Sequence, residues 1–370
     1  MKSKEVKVVI PIYHKQLTYN EKISLLQCKR ILNQHSLCLI KPINMSLQIE
    51  EIQGIEIEEF DRKWFQSVQT YNLLMLTEQF YERFEDYEYI LIYQLDAFVF
   101  RDELLTFCSM GYDYIGAPWL HGKFVYVNGA GGYYYIGNGG FSLRKVKSHL
   151  DILKKSSING IVNEDMFFAS RQNAQFRIAP IEVATGFAFE TNVRECFEKN
   201  NGKLPFGCHA WEKYDFQFYQ NIFQDFGYDT SDIQDGKLDQ IKDDALYDLA
   251  ELTEKELRET LKFIFPNMEN EIWIWGAGQI GKECGWQMLR NHIHIKGFLD
   301  KNMRLHGTKL FEKEIVIAPC HYFKDTGKTP LIIAMSQIPE EIIEQLNQNS
   351  KYEGRDYISW NMLCSLLKVY

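Results

Sequence analysis

Twice along this chain a short apolar run gives way to a segment whose apolar residues recur at threes and fours. That alternation constrains the fold more than any other feature of the sequence. Residues 6–13 (VKVVIPIY) read as a buried strand ended by a proline and a polar stretch. Residues 20–33 then carry a helical stripe through Ile23, Leu26, Ile31 and Leu32. A second strand follows at 37–43, helical spacing returns over 61–84 (Val68, Leu73, Leu76, Phe80, Phe84), and residues 89–100 (YILIYQLDAFVF) form an apolar strand interrupted by Gln94 and Asp96. Strands without polar alternation are buried on both faces, and helices between them supply the cover, so the pattern predicts a doubly wound α/β sheet.

The second alternation begins at residues 271–275 (EIWIW) and continues with a glycine turn, a helix through Leu289, a strand at 295–299, another at 330–335 and a helix at 339–346. It predicts a smaller, separate Rossmann-type α/β domain. Between the two, residues 225–259 hold 12 Asp or Glu against 4 Lys or Arg, with helical spacing toward the end, the pattern of a solvated helical connector. The domains predicted are therefore 1–222, a connector at 223–268, and 269–370.

Composition removes several function classes. The formal charge of −9 leaves no basic footprint for nucleic acid or an anionic membrane. No run approaches the ~18 apolar residues of a membrane span, and the charged start at residues 1–7 lacks a leader's cleavage site. The eight cysteines are scattered without ligand spacing, which favours reduced, structural thiols over disulfides or zinc. A cytoplasmic protein is expected, with room for peripheral association at the inner face of the membrane.

Four stretches could carry chemistry. Gln94-Leu95-Asp96 follows an apolar strand, and a carboxylate at such a strand end must be paired, protonated or bound to a cation. Mg²⁺ or Mn²⁺ bridging diphosphate oxygens would serve; so would a turn near Arg101. Gly137-Asn138-Gly139-Gly140-Phe141-Ser142-Leu143-Arg144 is a loop in which glycines allow close backbone approach, to a ligand or simply through a tight turn. Asn163-Glu164-Asp165 places acids at a helix start, as dipole partners or as a general base. His209 lies in PFGCHAW as a core side chain or a metal ligand.

Their order resembles the core of GT-A glycosyltransferases, a strand ending in D-x-D, then a glycine loop, an x-E-D motif and a downstream His. YNLLML (71–76), YIGAPW (114–119), GNGGFSLR (137–144) and FGCHAW (206–211) look like a bacterial GT-A-like family of unknown function, over about residues 6–215. The resemblance implies a mixed sheet flanked by helices and a nucleoside diphosphate sugar donor. It further implies a saccharide or lipid-linked acceptor, in bacterial surface polysaccharide synthesis. It places Asp96 and His209 on a Mn²⁺ or Mg²⁺, Gly139 and Gly140 along the donor sugar, and Asp165, with Glu164 behind it, as the base of an inverting transfer. Gln94 stands where the first Asp of D-x-D would be, an amide able to bond a hydroxyl but carrying no charge. The donor's base is expected near Pro11, Tyr13, Tyr71 and Asn72. Trp119 and Tyr133 to Tyr135 offer faces for an acceptor sugar, or plain packing.

The remaining motif, Gly276-Ala277-Gly278-Gln279-Ile280-Gly281, fits G-x-G-x-x-G between a strand and a helix. Asp300 follows about 20 residues later, where a ribose-binding acid belongs. It resembles Rossmann-like domains appended to bacterial polysaccharide enzymes. A nucleotide held there, or an empty loop retained for assembly, are both open. So are two other readings of the whole chain, an NAD-dependent oxidoreductase or nucleotide sensor built on these glycines, and a non-catalytic carbohydrate-binding scaffold.

Overall fold

The computed structural model describes residues 4–127, 130–156, 163–173, 175–233, 249–311, 314–324, 329–351, 353 and 356–367. The chain divides into two compact units, one of residues 1–120 with 134–243, the other of residues 121–133 with 244–370. Residues 234–248 of the expected connector lie outside the described residues. The helix Glu254–Ile264 beyond them buries Leu257, Leu261 and Ile264 in the core of the second unit. Its capping box, with Thr253 and Glu256 exchanging side-chain and backbone bonds, accounts for where it starts.

The first unit is a mixed sheet flanked by helices. Its six strands run in the order Glu56–Phe60, Ser36–Pro42, Lys4–Pro11, Tyr87–Tyr93, Phe141–Lys145, Tyr114–Ile115. The first four are parallel; Phe141–Lys145 runs antiparallel to both of its neighbours. The central apolar runs (Val8, Val9, Ile10; Leu39, Ile40; Ile90, Leu91, Ile92) are wholly buried, as strands covered on both faces must be. Successive strands pass outward from Lys4–Pro11 on one side, and the chain then returns to Tyr87–Tyr93 on the other. The carboxyl ends of those two strands therefore flank a topological switch point, where α/β sheets open a crevice.

Two expected elements come out shorter. Residues 61–84 are broken into a 3₁₀ turn, Arg62–Phe65, and helices Val68–Met75 and Glu78–Glu82. The cause is local, because Ser67 and Thr77 turn their hydroxyls onto the backbone N–H groups of Thr70 and Phe80 and restart the helix each time. The strand expected over 89–100 stops at Tyr93, and Phe98–Val99 leaves for a three-stranded sheet with Gly207–Cys208 and Ala188–Phe189. The strand Glu56–Phe60 escapes an apolar-run reading because its exposed edge is mostly glutamate.

In the second unit a sheet in the order Lys309–Leu310, Glu314–Ile317, His294–Leu299, Glu271–Trp275, Leu331–Ile333, Tyr357–Ser359 is parallel apart from its first strand. The helix Gln279–Arg290 follows the glycine turn and buries Cys284 and Met288. None of the eight cysteines, all of them described residues, forms a disulfide, and seven are buried.

Candidate functional site

The small three-stranded sheet of the first unit assembles the site. Gly207–Cys208 pairs in parallel with Ala188–Phe189 and antiparallel with Phe98–Val99, so the residues just past their ends meet. Glu190 and His209 emerge from neighbouring parallel strands, tied by the His209 N–H to the Phe189 carbonyl at 2.9 Å. Gln94 to Ala97 forms the turn between Tyr87–Tyr93 and Phe98–Val99, closed by the Ala97 N–H donating to the Gln94 carbonyl at 2.9 Å. The Tyr93 hydroxyl donates to the Ala97 carbonyl and fixes the same turn from below.

The charges gathered there form a chain. His209 Nδ1 is 3.0 Å from Glu190 Oε2, and His209 Nε2 is 3.0 Å from Asp96 Oδ1. Lys213 Nζ is 2.9 Å from Asp96 Oδ2. The Gln94 side-chain oxygen lies 3.3 Å from His209 Nε2. Burial works against charge on His209, but Asp96 and Glu190 outweigh it and raise its pKa to about 10. Burial likewise opposes the Asp96 carboxylate, and His209 and Lys213 overcome it, holding Asp96 well below the usual carboxylate range.

The glycine loop closes over this cluster. The Gln94 N–H donates to the Gly140 carbonyl at 2.8 Å, joining strand end to loop. A β-carbon on Gly140 would sit 2.0 Å from His209 Nε2, and one on Gly139 would sit 1.8 Å from Glu164 Oε1. These glycines are therefore demanded by the protein's own side chains. The left-handed position of the loop is taken by Asn138, at φ 56°, whose Oδ1 accepts from Trp119 Nε1 at 2.8 Å. Trp119 is thus buried against the loop, its ring filling the space where Gly137 lacks a side chain. Of the other rings expected as sugar platforms, Tyr133 donates to Glu283 within the second unit.

Beneath the loop, Glu164 and Arg144 form a buried pair, with Arg144 Nη2 3.0 Å from Oε1 and Nη1 2.9 Å from Oε2. Arg144 also donates to Ser142 Oγ, the Tyr81 hydroxyl and the Gly139 carbonyl, so every face of the guanidinium is used. Glu164 is committed to that pair. Asp165, its neighbour in the first turn of the helix Glu164–Ala169, is half-buried, and its Oδ1 accepts from the Met166 N–H. Asn163 is met by the side chain of Asn72 at 3.3 Å.

A cavity of about 860 Å³ opens at the switch point. Pro11, Tyr13, Tyr71, Gln94, Asp96 and Lys213 are among its walls, a size and position suited to a nucleotide-sized ligand. Asp96, Gln94, Gly140 and His209 are thus brought into contact, Gly139 packs against Glu164, and Pro11, Tyr13 and Tyr71 share the cavity with Gln94 and Asp96.

The donor set was expected to hold a divalent cation, and as placed it does not fit one. Each ring nitrogen of His209 lies 3.0 Å from a carboxylate oxygen, and although Nδ1 and Glu190 Oε2 make no hydrogen bond across that distance, the two carboxylates favour the doubly protonated ring, which has no lone pair for a metal. The second oxygen of Asp96 already faces an ammonium, and Gln94 is uncharged. Among the described residues no three His, Cys, Asp or Glu side chains form a group able to hold a metal ion.

Lys213, Glu190 and Arg144 were not anticipated. Lys213 stands four residues past His209 in His-Ala-Trp-Glu-Lys, a spacing within one turn of chain, and it was the one signal the sequence offered.

In the second unit the glycine turn has its own geometry. Gly276, at φ +116°, lies where a β-carbon would be 2.5 Å from the Ala334 carbonyl oxygen, and one on Gly281 would be 1.8 Å from the Gly276 carbonyl oxygen. Gly278 has nothing within 4 Å of its β position, an open approach to the backbone. Asp300 spends both oxygens on backbone, accepting from the Ala277 N–H at 2.9 Å and the Asn302 N–H at 2.8 Å.

Residues 54–209, less than half of the chain, match a family described as a protein of unknown function (DUF5672). No curated protein matches. Among solved structures, the galactosyltransferase LgtC, determined with donor and acceptor sugar analogues, is 13% identical with a TM-score of 0.36, over 55% of this chain and 86% of that one. The bifunctional glycosyltransferase WbbM is 9% identical with a TM-score of 0.36, over 56% of this chain and 45% of its own. A glycosyltransferase involved in glycosylation of the PBCV-1 major capsid protein is 13% identical with a TM-score of 0.33, over 55% and 93%. Likenesses this distant leave function to be argued from the chain's own residues. Among the described residues no helix is long and apolar enough to cross a membrane.

Proposed function

We propose that the first unit transfers a glycosyl group from a nucleoside diphosphate sugar to a hydroxyl of a saccharide or glycolipid acceptor, with inversion, on a GT-A-like fold. The observation that carries the reading is the switch-point cavity, walled by Pro11 and Tyr13 at one strand end and by Gln94, Asp96 and Lys213 at the next. The setting, bacterial surface polysaccharide or glycolipid assembly, rests on the resemblance of its motifs to a bacterial GT-A-like family.

The roles follow from the side chains. Tyr13 and Val68, large and exposed on the cavity wall, suit the faces of a base. The Gln94 amide suits a ribose or sugar hydroxyl. Gly139 and Gly140, whose β positions are taken up by Glu164 and His209, border the donor sugar with backbone alone. The acceptor oxygen attacks the anomeric carbon as the bond to the diphosphate oxygen breaks, the electron pair leaving with the diphosphate. Asp165 takes the acceptor's proton, a role left to it because Glu164 is bound to Arg144. No step runs through a divalent ion.

The test is thermal-shift titration with UDP-, GDP- and dTDP-sugars beside NAD(H), followed by product detection with saccharide acceptors. Stabilisation by one sugar nucleotide, with transfer lost in Asp165→Asn, supports the reading. The open backbone at Gly278 favours a second one, a nucleotide held by the C-terminal unit. A response to NAD(H) and to none of the sugar nucleotides would make that one primary.

A further inference from the structure

We propose that Lys213 supplies the fixed positive charge that receives the diphosphate of the donor, in the place a divalent cation would otherwise take. The inference rests on the reading of the first unit as a sugar-nucleotide site, and it concerns how that site balances charge.

Lys213 is held in place rather than hanging from a surface. Its N–H donates to the Ala210 carbonyl at 2.9 Å, and Ala210 turns the chain at φ 49°. Trp211, between them, is wholly buried against Phe216 and Phe223. On the far side of that anchor Glu212 accepts from the side chain of Asn20. These contacts pin the segment before Lys213, and the Tyr214 N–H, donating to the Ala210 carbonyl at 3.1 Å, pins it just after.

The ammonium has three N–H groups and one hydrogen-bond partner, Asp96 Oδ2, with the Glu212 and Glu190 carboxylates acting on it from further off. Its side chain is nevertheless 47% exposed, and it lines the cavity. Among the described residues that line the cavity it is the one lysine or arginine. Asp96 thus holds in the cavity wall an ammonium with donors to spare. A diphosphate bears at least two negative charges, and its departure concentrates charge on the oxygen that leaves. A preplaced cation at that point stabilises the transition state more than the ground state. The amide at Gln94 agrees with this arrangement, since a second carboxylate there would place another negative charge beside the ammonium's partner.

Calorimetric titration of the full chain decides the matter, with uridine, guanosine and thymidine diphosphates and the matching monophosphates, in chelator and again with Mn²⁺ or Mg²⁺. The expected result is that one diphosphate binds in chelator and that added metal does not tighten it. Lys213→Gln then weakens it about tenfold or more, with the monophosphate changed much less, and Lys213→Arg restores binding. The exposed side chain makes folding of these variants a small concern, and an unchanged melting temperature confirms it. Diphosphate binding that requires the metal and ignores Lys213→Gln would overturn the inference while leaving the donor site standing. Failure of every diphosphate and every sugar nucleotide, with and without metal, would overturn both.

Discussion

Replacing Arg144 by Met separates scaffold from chemistry at this site. The guanidinium is fully buried and makes both contacts to Glu164, together with bonds to Ser142, Tyr81 and the Gly139 carbonyl. Its loss leaves the Glu164 carboxylate buried without a partner, a change that costs about 3–5 kcal/mol. In a unit of this size each kcal/mol moves the melting temperature by about 2–4 °C, so a fall of roughly 6–20 °C is expected. Glu164→Leu strands the arginine instead and falls comparably. The double variant removes both charges, and its loss is smaller than the sum of the two by about 2 kcal/mol or more, because neither desolvated charge remains. Denaturant unfolding followed by tryptophan fluorescence measures all three. If Arg144→Met melts within about 1 °C of the parent, or the two losses simply add, the pair does not hold the glycine loop and the reasoning fails.

Asp165→Asn, one residue from that pair, should leave the melting temperature nearly unchanged and lower transfer about 10²–10⁴-fold, with donor affinity retained; full turnover removes the base assignment. Gly140→Ala must displace the His209 ring, whose Nε2 would lie 2.0 Å from the new carbon, so donor affinity should drop along with about 1–3 kcal/mol of stability. An alanine that binds donor normally contradicts the packing described. The pH dependence carries a definite sign. His209 is raised from 6.5 to about 10 on folding, so its stabilisation is complete below pH 6.5 and lost as pH rises through about 10. Asp96 is lowered, so its share is complete above its ordinary value of 3.8 and is lost only in stronger acid. The parent should therefore melt lower at pH 10.5 than at pH 8 by more than His209→Gln does, and equal slopes would refute the ion-pair chain.

The layered α/β order was legible because buried parallel strands need unbroken apolar runs, and those at 8–10, 39–40 and 90–92 could do nothing else in water. The same logic misread residues 61–84, where apolar spacing continues across Ser67 and Thr77 and only their caps break the helix. At the site, Gln94, Asp96 and His209 could be found because each stands out against apolar neighbours. The partners that define their chemistry could not. Glu190 and Lys213 sit beside His209 and Asp96 only through the three-stranded sheet and the turn after it, pairings between strands two residues long that leave no periodic trace. The two acids at 164 and 165 look interchangeable in sequence. A guanidinium twenty residues earlier distinguishes them.

The central claim is tested most directly by a crystal structure of the chain soaked or co-crystallised with the sugar nucleotide that stabilises it most. The account predicts the base against Tyr13, the diphosphate within hydrogen-bond distance of Lys213 Nζ, and the sugar over Gly139 and Gly140. A nucleotide found away from the Asp96 cavity, with that cavity filled by solvent, would contradict it.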